Sequence, residues 1–212
     1  MQEPAKTKFS DLLLICWRGK LGKWTVTTGS HWMHGVVSLL DTVHNQRVES
    51  LWRELADECG LVGIRATPIP HFSWQVAADY NLARLEEELK KIASMVKPFM
   101  VRTTGLILFT GEKPVIAISV IRDAKLTEIH RMVWNRLEPI SDARNPFYAP
   151  EYWTPHISLA HGDLIPERLT CSMQRLAART LNWEFTIDNL AFLYQPEGET
   201  CTLQQHFELG TG

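Results

Sequence analysis

The stretch IPHFSW at residues 69–74 and the stretch WTPHISLAHGD at residues 153–163 share a Pro-His-x-Ser motif. The two copies stand 85 residues apart, and their histidines are His71 and His156. Of the eight histidines in the chain, only these two have a serine or threonine two positions later, and both follow a proline. A repeat of this kind indicates two related halves within one chain.

The first copy lies in a run of residues 65–77 that predicts a strand, interrupted near its start by two prolines. Successive side chains of a strand point to opposite faces. His71 and Ser73 therefore share a polar face, and regular alternation adds Gln75 to it. The opposite face is apolar and is predicted to be core: Phe72, Trp74 and Val76.

The second copy lies in a predicted strand over residues 152–160. Its polar face holds His156 and Ser158 together with Tyr152, whose ring is placed to stack on a base. A regular strand would point His161 away from this face, so we expect it to be a strand-end or loop residue. The buried face of this copy consists of Ile157 and Leu159.

Helical and extended patterns alternate along the rest of the chain. Apolar residues at helical spacing predict helices over residues 48–59, 82–96 and 126–137, and one that begins at Pro166. Extended runs cover residues 36–40, 103–110, 115–121, 184–194 and 200–209. Turn residues between the second and third of these runs predict a hairpin. Because helices and hairpins both connect the strands, the pattern favours an α+β fold with mixed or antiparallel sheets.

Composition and charge exclude several classes of protein. The chain of 212 residues has a formal net charge of −2, which lacks the basic surface expected for binding a long nucleic-acid duplex. No apolar run is long enough to span a membrane, and the N-terminus does not resemble a signal peptide. We therefore expect a cytoplasmic protein without membrane partners, in which all four widely spaced cysteines are reduced.

Two His/Ser pairs that face each other across a groove suit the chemistry of phosphoesters. One neutral imidazole would take a proton from the attacking water or hydroxyl, and the other, protonated, would donate to the departing oxygen. The hydroxyl groups of Ser73 and Ser158 would bind the non-bridging phosphate oxygens. This interpretation makes His71 and His156 the catalytic pair and requires neither a metal nor a cofactor, because imidazoles titrate near neutral pH.

The duplicated H-x-S motif resembles that of the 2H phosphoesterase superfamily, and the stretch 153–163 looks most like its 2′-5′ RNA ligase or cyclic phosphodiesterase branch. The resemblance covers residues 35–209 and implies a single bilobal domain over residues 35–212, with duplicated sheets related by a pseudo-twofold, outer helices and a central cleft. Residues 1–34 form an extension whose role the resemblance does not explain. The implied activity is the opening of 2′,3′-cyclic or related phosphodiesters of small nucleotides or RNA ends.

Two other functions fit the same residues. The first is a non-catalytic module that binds nucleotides, and the second is ligation, in which a cyclic phosphate is joined to a 5′-hydroxyl. Acid–base catalysts work in both directions, so the sequence leaves hydrolysis and ligation open. The pseudo-symmetry also leaves open which histidine is the base, and the sequence does not indicate the oligomeric state.

Overall fold

The computed structural model describes residues 14–16, 25–27 and 33–210. The chain divides into a unit of residues 1–31 and a unit of residues 32–212. In the first unit, strand β1 (Leu14–Cys16) pairs antiparallel with strand β2 (Thr25–Thr27). Among the described residues, no helix is both long and apolar enough to cross a membrane.

The described residues of the second unit, 33–210, form two sheets and four α-helices. Its strands are β3 (His34–Leu39), β4 (His71–Tyr80), β5 (Phe99–Phe109), β6 (Val115–Val120), β7 (Ser141–Arg144), β8 (His156–His161), β9 (Glu184–Ile187), β10 (Asn189–Tyr194) and β11 (Thr202–Glu208). Its helices are α1 (Thr42–Cys59), α2 (Leu82–Met95), α3 (Ala124–Leu137) and α4 (Pro166–Leu176). The strand orders are β11-β10-β3-β4-β7 and β8-β6-β5-β9.

All of these pairings are antiparallel, which confirms the α+β prediction and resolves "mixed or antiparallel" in favour of antiparallel. The duplication is visible in the order of elements. The first half runs β3-α1-β4-α2-β5, and the second runs β6-α3-β8-α4-β10 with the short strands β7 and β9 inserted. The motif histidines begin the matching strands β4 and β8.

The two halves exchange strands. The last strand of the first half, β5, pairs with β6 of the second half, while β10 of the second half pairs with β3 of the first. The helices also pack across the two halves. Helix α1 of the first half packs against α4 and β8 of the second half, and α3 of the second half packs against α2 and β4 of the first. Each lobe therefore needs both halves of the chain for its sheet, and one hydrophobic core joins them.

Several sequence predictions about the elements are confirmed. Helix α1 ends at Cys59 because Gly60 adopts a left-handed conformation, with φ of 70°. Helix α4 begins at Pro166, where the missing N–H group costs nothing. The predicted hairpin is the β5-β6 pair, and helices α2 and α3 occupy the expected segments.

Three predicted strands have wrong limits. The first motif strand begins at His71 and not at residue 65, because residues Gly63–Ala66 form a short 3₁₀ helix. The second begins at His156 and not at residue 152. The run over residues 184–194 divides at Asp188 into β9 and β10, which belong to different sheets. The residues of β9 alternate between exposed and buried, whereas five of the six residues of β10 are buried. Both patterns indicate an extended chain, and neither shows that the two parts pair in different sheets.

The prediction of four reduced cysteines is wrong. Cys59 at the end of α1 forms a disulfide with Cys171 in α4, 112 residues away, while Cys201 is free and buried. Spacing along the sequence could not reveal the pair, because it depends on the packing of α1 against α4.

Candidate active site

A β-bulge at the same place in both motif strands shapes the site. In β4, Ser73 pairs with Val37 and Gln75 pairs with Val36, so Trp74 is the extra residue. In β8, Ser158 pairs with Ala117 and Ala160 pairs with Ile116, so Leu159 is the extra residue. The extra residue lies three positions after the motif histidine in each case. The pseudo-twofold relation thus extends to a local irregularity of the backbone.

Each bulge changes which side chains face the cleft, because an extra residue shifts the alternation by one position. Gln75, predicted to share the face of His71, is instead completely buried, and its polar atoms find no hydrogen-bond partner among the described residues. Val76, predicted to be core, lines the cleft. In the second strand His161 also lines the cleft, which contradicts the prediction that it would point away.

Side chains bind the carbonyl groups of the bulged segments. The indole N–H of Trp153 donates to the carbonyl of Ser73 at 2.9 Å, and that of Trp52 donates to the carbonyl of Ser158 at 3.0 Å. The carbonyl of Trp74 accepts from Nε2 of His130 at 3.0 Å. These bonds fix the backbone of both motif serines, because backbone groups freed from a ladder need other partners when they are buried.

A cavity of about 230 Å³ lies between the motif strands. Three of the predicted site residues line it, namely His71 and Ser73 of β4 and Ser158 of β8. His156 is not part of this lining. Its ring packs against Phe109, with the ring centroids 4.7 Å apart. A charge on His156 nevertheless lowers the pKa of His71, so the two imidazoles interact electrostatically.

The two motif histidines are anchored in the same way. Nδ1 of His71 lies 2.6 Å from the carbonyl oxygen of Ile69, and Nδ1 of His156 lies 2.7 Å from that of Thr154. A carbonyl accepts but does not donate, so each Nδ1 carries the proton and donates it. In both rings Nε2 is then the nitrogen left to exchange a proton with a substrate.

Burial makes both histidines weaker bases. It lowers the pKa of His71 from 6.5 to about 4, the hydrogen bond to Ile69 opposes this, and charges on His156 and His161 lower the pKa further. Burial also lowers the pKa of His156, against the opposing effect of the hydrogen bond to Thr154. Because a charge on one imidazole disfavours a charge on the next, the cluster favours having one protonated ring at a time.

His161 brings a third imidazole into the cleft. Burial lowers its pKa, and the carboxylate of Asp163 opposes that decrease. Asp163 also accepts hydrogen bonds from the backbone N–H groups of Val62, at 2.7 Å, and Gly63, at 3.0 Å. This carboxylate therefore holds the turn after α1 against the end of β8. The sequence offered no signal that His161 lines the cleft, because the direction of its side chain depends on the bulge in β8.

Two tyrosines contrast with each other at this site. Tyr148, between β7 and β8, lines the cavity together with Ser73, and burial raises the pKa of its phenol. Sequence reasoning missed it, because the 3₁₀ helix Pro146–Tyr148 is too short for a periodicity to show which way a residue points. Tyr152 is 70% exposed and is not part of the cavity lining, so its predicted stacking on a base stays a prediction.

Within the described part of the chain, no three His, Cys, Asp or Glu side chains are arranged to hold a metal ion. The polar groups of the cleft include imidazoles and hydroxyls that can donate, accept and move protons. Such a set can bind an anionic group and carry out general acid–base chemistry on it.

The sequence model of the 2′-5′ RNA ligase superfamily matches residues 41–199 of this chain. The chain belongs to this superfamily of 2H phosphoesterases. The assignment to this superfamily, which the sequence predicts, is thereby confirmed. A protein of Oceanobacillus iheyensis, named as a candidate phosphoesterase, is 28% identical over 134 residues, which are 63% of this chain and 74% of the relative.

Solved structures share the fold of this 2H phosphoesterase. TT0787 of Thermus thermophilus superposes with a TM-score of 0.60 at 15% identity, over 84% of this chain and 98% of the other. E. coli LigT in complex with NADP+ gives a TM-score of 0.50 at 12% identity, over 85% of this chain and 99% of the other. LigT has also been crystallised with 3′-AMP, with a TM-score of 0.50 at 11% identity over 84% of this chain and 97% of LigT.

Proposed function

We propose that this 2H phosphoesterase opens 2′,3′-cyclic or related phosphodiesters of nucleotides or RNA ends, without a metal, by acid–base catalysis with His71 and His156. The observation that carries the proposal is the matched anchoring of the two rings. Each donates its Nδ1 proton to the carbonyl group two residues earlier, at 2.6 and 2.7 Å, so each has Nε2 free for substrate.

In the proposed reaction, Nε2 of the neutral histidine accepts a proton from water as the water oxygen bonds to phosphorus. The bond from phosphorus to the 2′- or 3′-oxygen of the ribose breaks, and the protonated histidine donates its proton to that oxygen. The hydroxyl groups of Ser73 and Ser158 donate to the non-bridging oxygens, where negative charge accumulates. Tyr148 lines the same cavity as both serines.

The nucleotide part of the proposal draws on the neighbouring structures. LigT, which shares the fold, has been crystallised with 3′-AMP and with NADP+. A site that accepts such ligands suits a small cyclic nucleotide or the terminus of an RNA. The net charge of −2 supports a small or short substrate over a long duplex.

The first test replaces each histidine by glutamine and measures hydrolysis of nucleoside 2′,3′-cyclic phosphates in the presence of EDTA. We expect wild-type activity to survive EDTA and each variant to lose at least about 10²-fold in kcat, the usual contribution of acid–base catalysis. His206→Gln, which removes an exposed histidine of β11, is the matched control. Activity that persists in both His71→Gln and His156→Gln would exclude the proposed mechanism.

The second test separates the remaining alternatives by analysing products. An RNA oligomer that ends in a 2′,3′-cyclic phosphate is incubated with and without a 5′-hydroxyl partner strand. A linear phosphate product supports hydrolysis, and a joined product supports ligation. Nucleotide binding by calorimetry without either product would indicate a non-catalytic module.

A further inference from the structure

The backbone carbonyl groups of the two motif serines have the same kind of partner. The indole N–H of Trp52 donates to the carbonyl of Ser158 at 3.0 Å, and the indole N–H of Trp153 donates to the carbonyl of Ser73 at 2.9 Å. The first pair of residues is 106 positions apart in the sequence, and the second pair is 80 positions apart. A long-range contact of one kind therefore recurs at both serines of the duplicated motif.

Each tryptophan comes from the half of the chain that does not contain its serine. Trp52 lies in α1 of the first half, whereas Ser158 lies in β8 of the second half. Trp153 lies three residues before β8 in the second half, whereas Ser73 lies in β4 of the first. Each half of the candidate site is thus completed by a side chain from the other half.

The two tryptophans do not occupy matching places in the duplication. The counterpart of α1 in the second half is α3, whereas Trp153 lies outside the helices. The residue three positions before β4 is Pro68, which has no N–H group to donate. The same hydrogen bond is therefore made from two unrelated positions, and the two halves share only its acceptor. That acceptor is the peptide group that follows the motif serine.

The orientation of this peptide group affects where the serine hydroxyl points. A serine side chain reaches its oxygen through one rotatable bond with three staggered positions, so the place of Oγ depends on the orientation of the backbone. In β4 and β8 the residue after each motif serine is the extra residue of the bulge, where the regular ladder is interrupted. A side-chain donor holds the peptide group in place at this point.

The surroundings of the two tryptophans differ. Trp153 is 1% exposed, and its ring stacks on that of His130 with centroids 3.8 Å apart. The carbonyl of Trp153 also accepts from the guanidinium of Arg122 at 2.8 Å. Trp52 is half-buried and lines the cavity together with Ser158. A substitution of Trp52 therefore disturbs the hydrophobic core less, which makes Trp52 the better residue to test.

We propose that Trp52 and Trp153 are positioning residues that direct the hydroxyl groups of Ser158 and Ser73 towards the phosphate. The inference rests on the proposed function, in which these hydroxyls donate to the non-bridging oxygens. Such hydrogen bonds strengthen as negative charge accumulates on these oxygens in the transition state. Loss of the correct position should therefore lower kcat more than it raises KM.

The test is a double-mutant cycle on the hydrolysis of nucleoside 2′,3′-cyclic phosphates. Trp52→Phe keeps an aromatic ring but removes the N–H donor. We expect kcat to fall by about threefold to tenfold, the range for one hydrogen bond, and KM to change by less than about twofold. In the Ser158→Ala background the same substitution should change kcat by less than about 1.5-fold, because the hydroxyl that Trp52 positions is absent. In the Ser73→Ala background the loss of about threefold to tenfold should remain.

Trp183→Phe is the matched control. It also removes an indole N–H that donates to a backbone carbonyl, that of Thr180 at 3.1 Å, but Trp183 is not part of the cavity lining. It should leave kcat and KM unchanged, and urea unfolding shows that each variant is folded. A loss of kcat in Trp52→Phe that is the same with and without the Ser158 hydroxyl, or no loss at all, would overturn the proposal.

A second cycle replaces the first if Trp52→Phe does not fold. Trp153→Phe is combined with Ser73→Ala, and its effect on kcat should disappear in that background. The same effect should persist in the Ser158→Ala background. Equal effects of Trp153→Phe in both backgrounds would overturn the proposal.

The outcome is distinguishable from failure of the proposed function. If the wild-type protein opens no cyclic phosphate, the proposed reaction is wrong, and the cycle is repeated with Kd for inorganic phosphate, measured by calorimetry. Weaker phosphate binding by Trp52→Phe that depends on the Ser158 hydroxyl would retain the positioning role without the reaction. Equal phosphate binding by the wild type and Trp52→Phe would remove both.

Discussion

The buried histidine His130 makes a quantitative prediction about stability and pH. It is fully buried in α3, its Nε2 donates to the carbonyl of Trp74, and its ring stacks on Trp153 with centroids 3.8 Å apart. Burial lowers its pKa from 6.5 to about 4. An imidazole whose pKa is lower in the folded chain stabilises the fold fully above pH 6.5, and this contribution is lost as the pH falls towards 4.

The magnitude follows from the shift. A difference of one pKa unit corresponds to about 1.4 kcal/mol, so the change from 6.5 to about 4 limits the contribution of His130 to about 3 kcal/mol. Between about pH 7 and about pH 4.5, roughly 2 kcal/mol of this should be lost. His130→Gln keeps a side-chain donor for the carbonyl of Trp74 but cannot titrate, so its free energy of unfolding should fall less steeply in acid.

The assay is urea unfolding of both proteins at about pH 7, 5.5 and 4.5, followed by tryptophan fluorescence. All other titrating groups, including His71, are common to the two proteins and cancel in the difference between them. His206→Gln removes an exposed imidazole and should follow the wild-type curve. If the difference in unfolding free energy between wild type and His130→Gln is the same at all three pH values, the argument from burial is refuted.

Three further predictions address the supports of the cleft. Replacing Cys59 and Cys171 by serine removes a cross-link between residues that are 112 positions apart. In the chain-entropy description this should lower the free energy of unfolding by up to about 5 kcal/mol. Urea unfolding curves of the wild-type protein that coincide with and without reductant would contradict this prediction. A Cβ atom at Gly63 would overlap the carbonyl oxygen of His161. Gly63→Ala should therefore lower the free energy of unfolding, measured in urea, by about 2 kcal/mol or more. A urea midpoint equal to that of the wild type would show that the backbone moves to accommodate the methyl group. His161→Val copies Val76 of the other lobe and removes a charge that lowers the pKa of His71, so the limb of the pH profile of kcat/KM that reports His71 should move to higher pH. A limb that stays in place would show that His161 does not act on His71.

The prediction of the fold from sequence succeeded where the signal is local. The end of α1 at Gly60, the start of α4 at Pro166 and the β5-β6 hairpin each depend on the conformational preferences of a few neighbouring residues. The exchange of β5 and β10 between the halves, by contrast, depends on which strands pair at long range. No local pattern specifies a pairing partner that is many residues away. For the same reason the sequence did not reveal the disulfide between Cys59 and Cys171.

The sequence alone contains the duplicated motif, predicts phosphoester chemistry for its His and Ser residues, and identifies the apolar faces that bury Phe72 and Ile157. The pairing of strands in the fold determines which other side chains join them. A bulge exists only relative to a neighbouring strand, and one extra residue moves everything beyond it to the other face. For that reason His161 and Val76 line the cleft while Gln75 is buried.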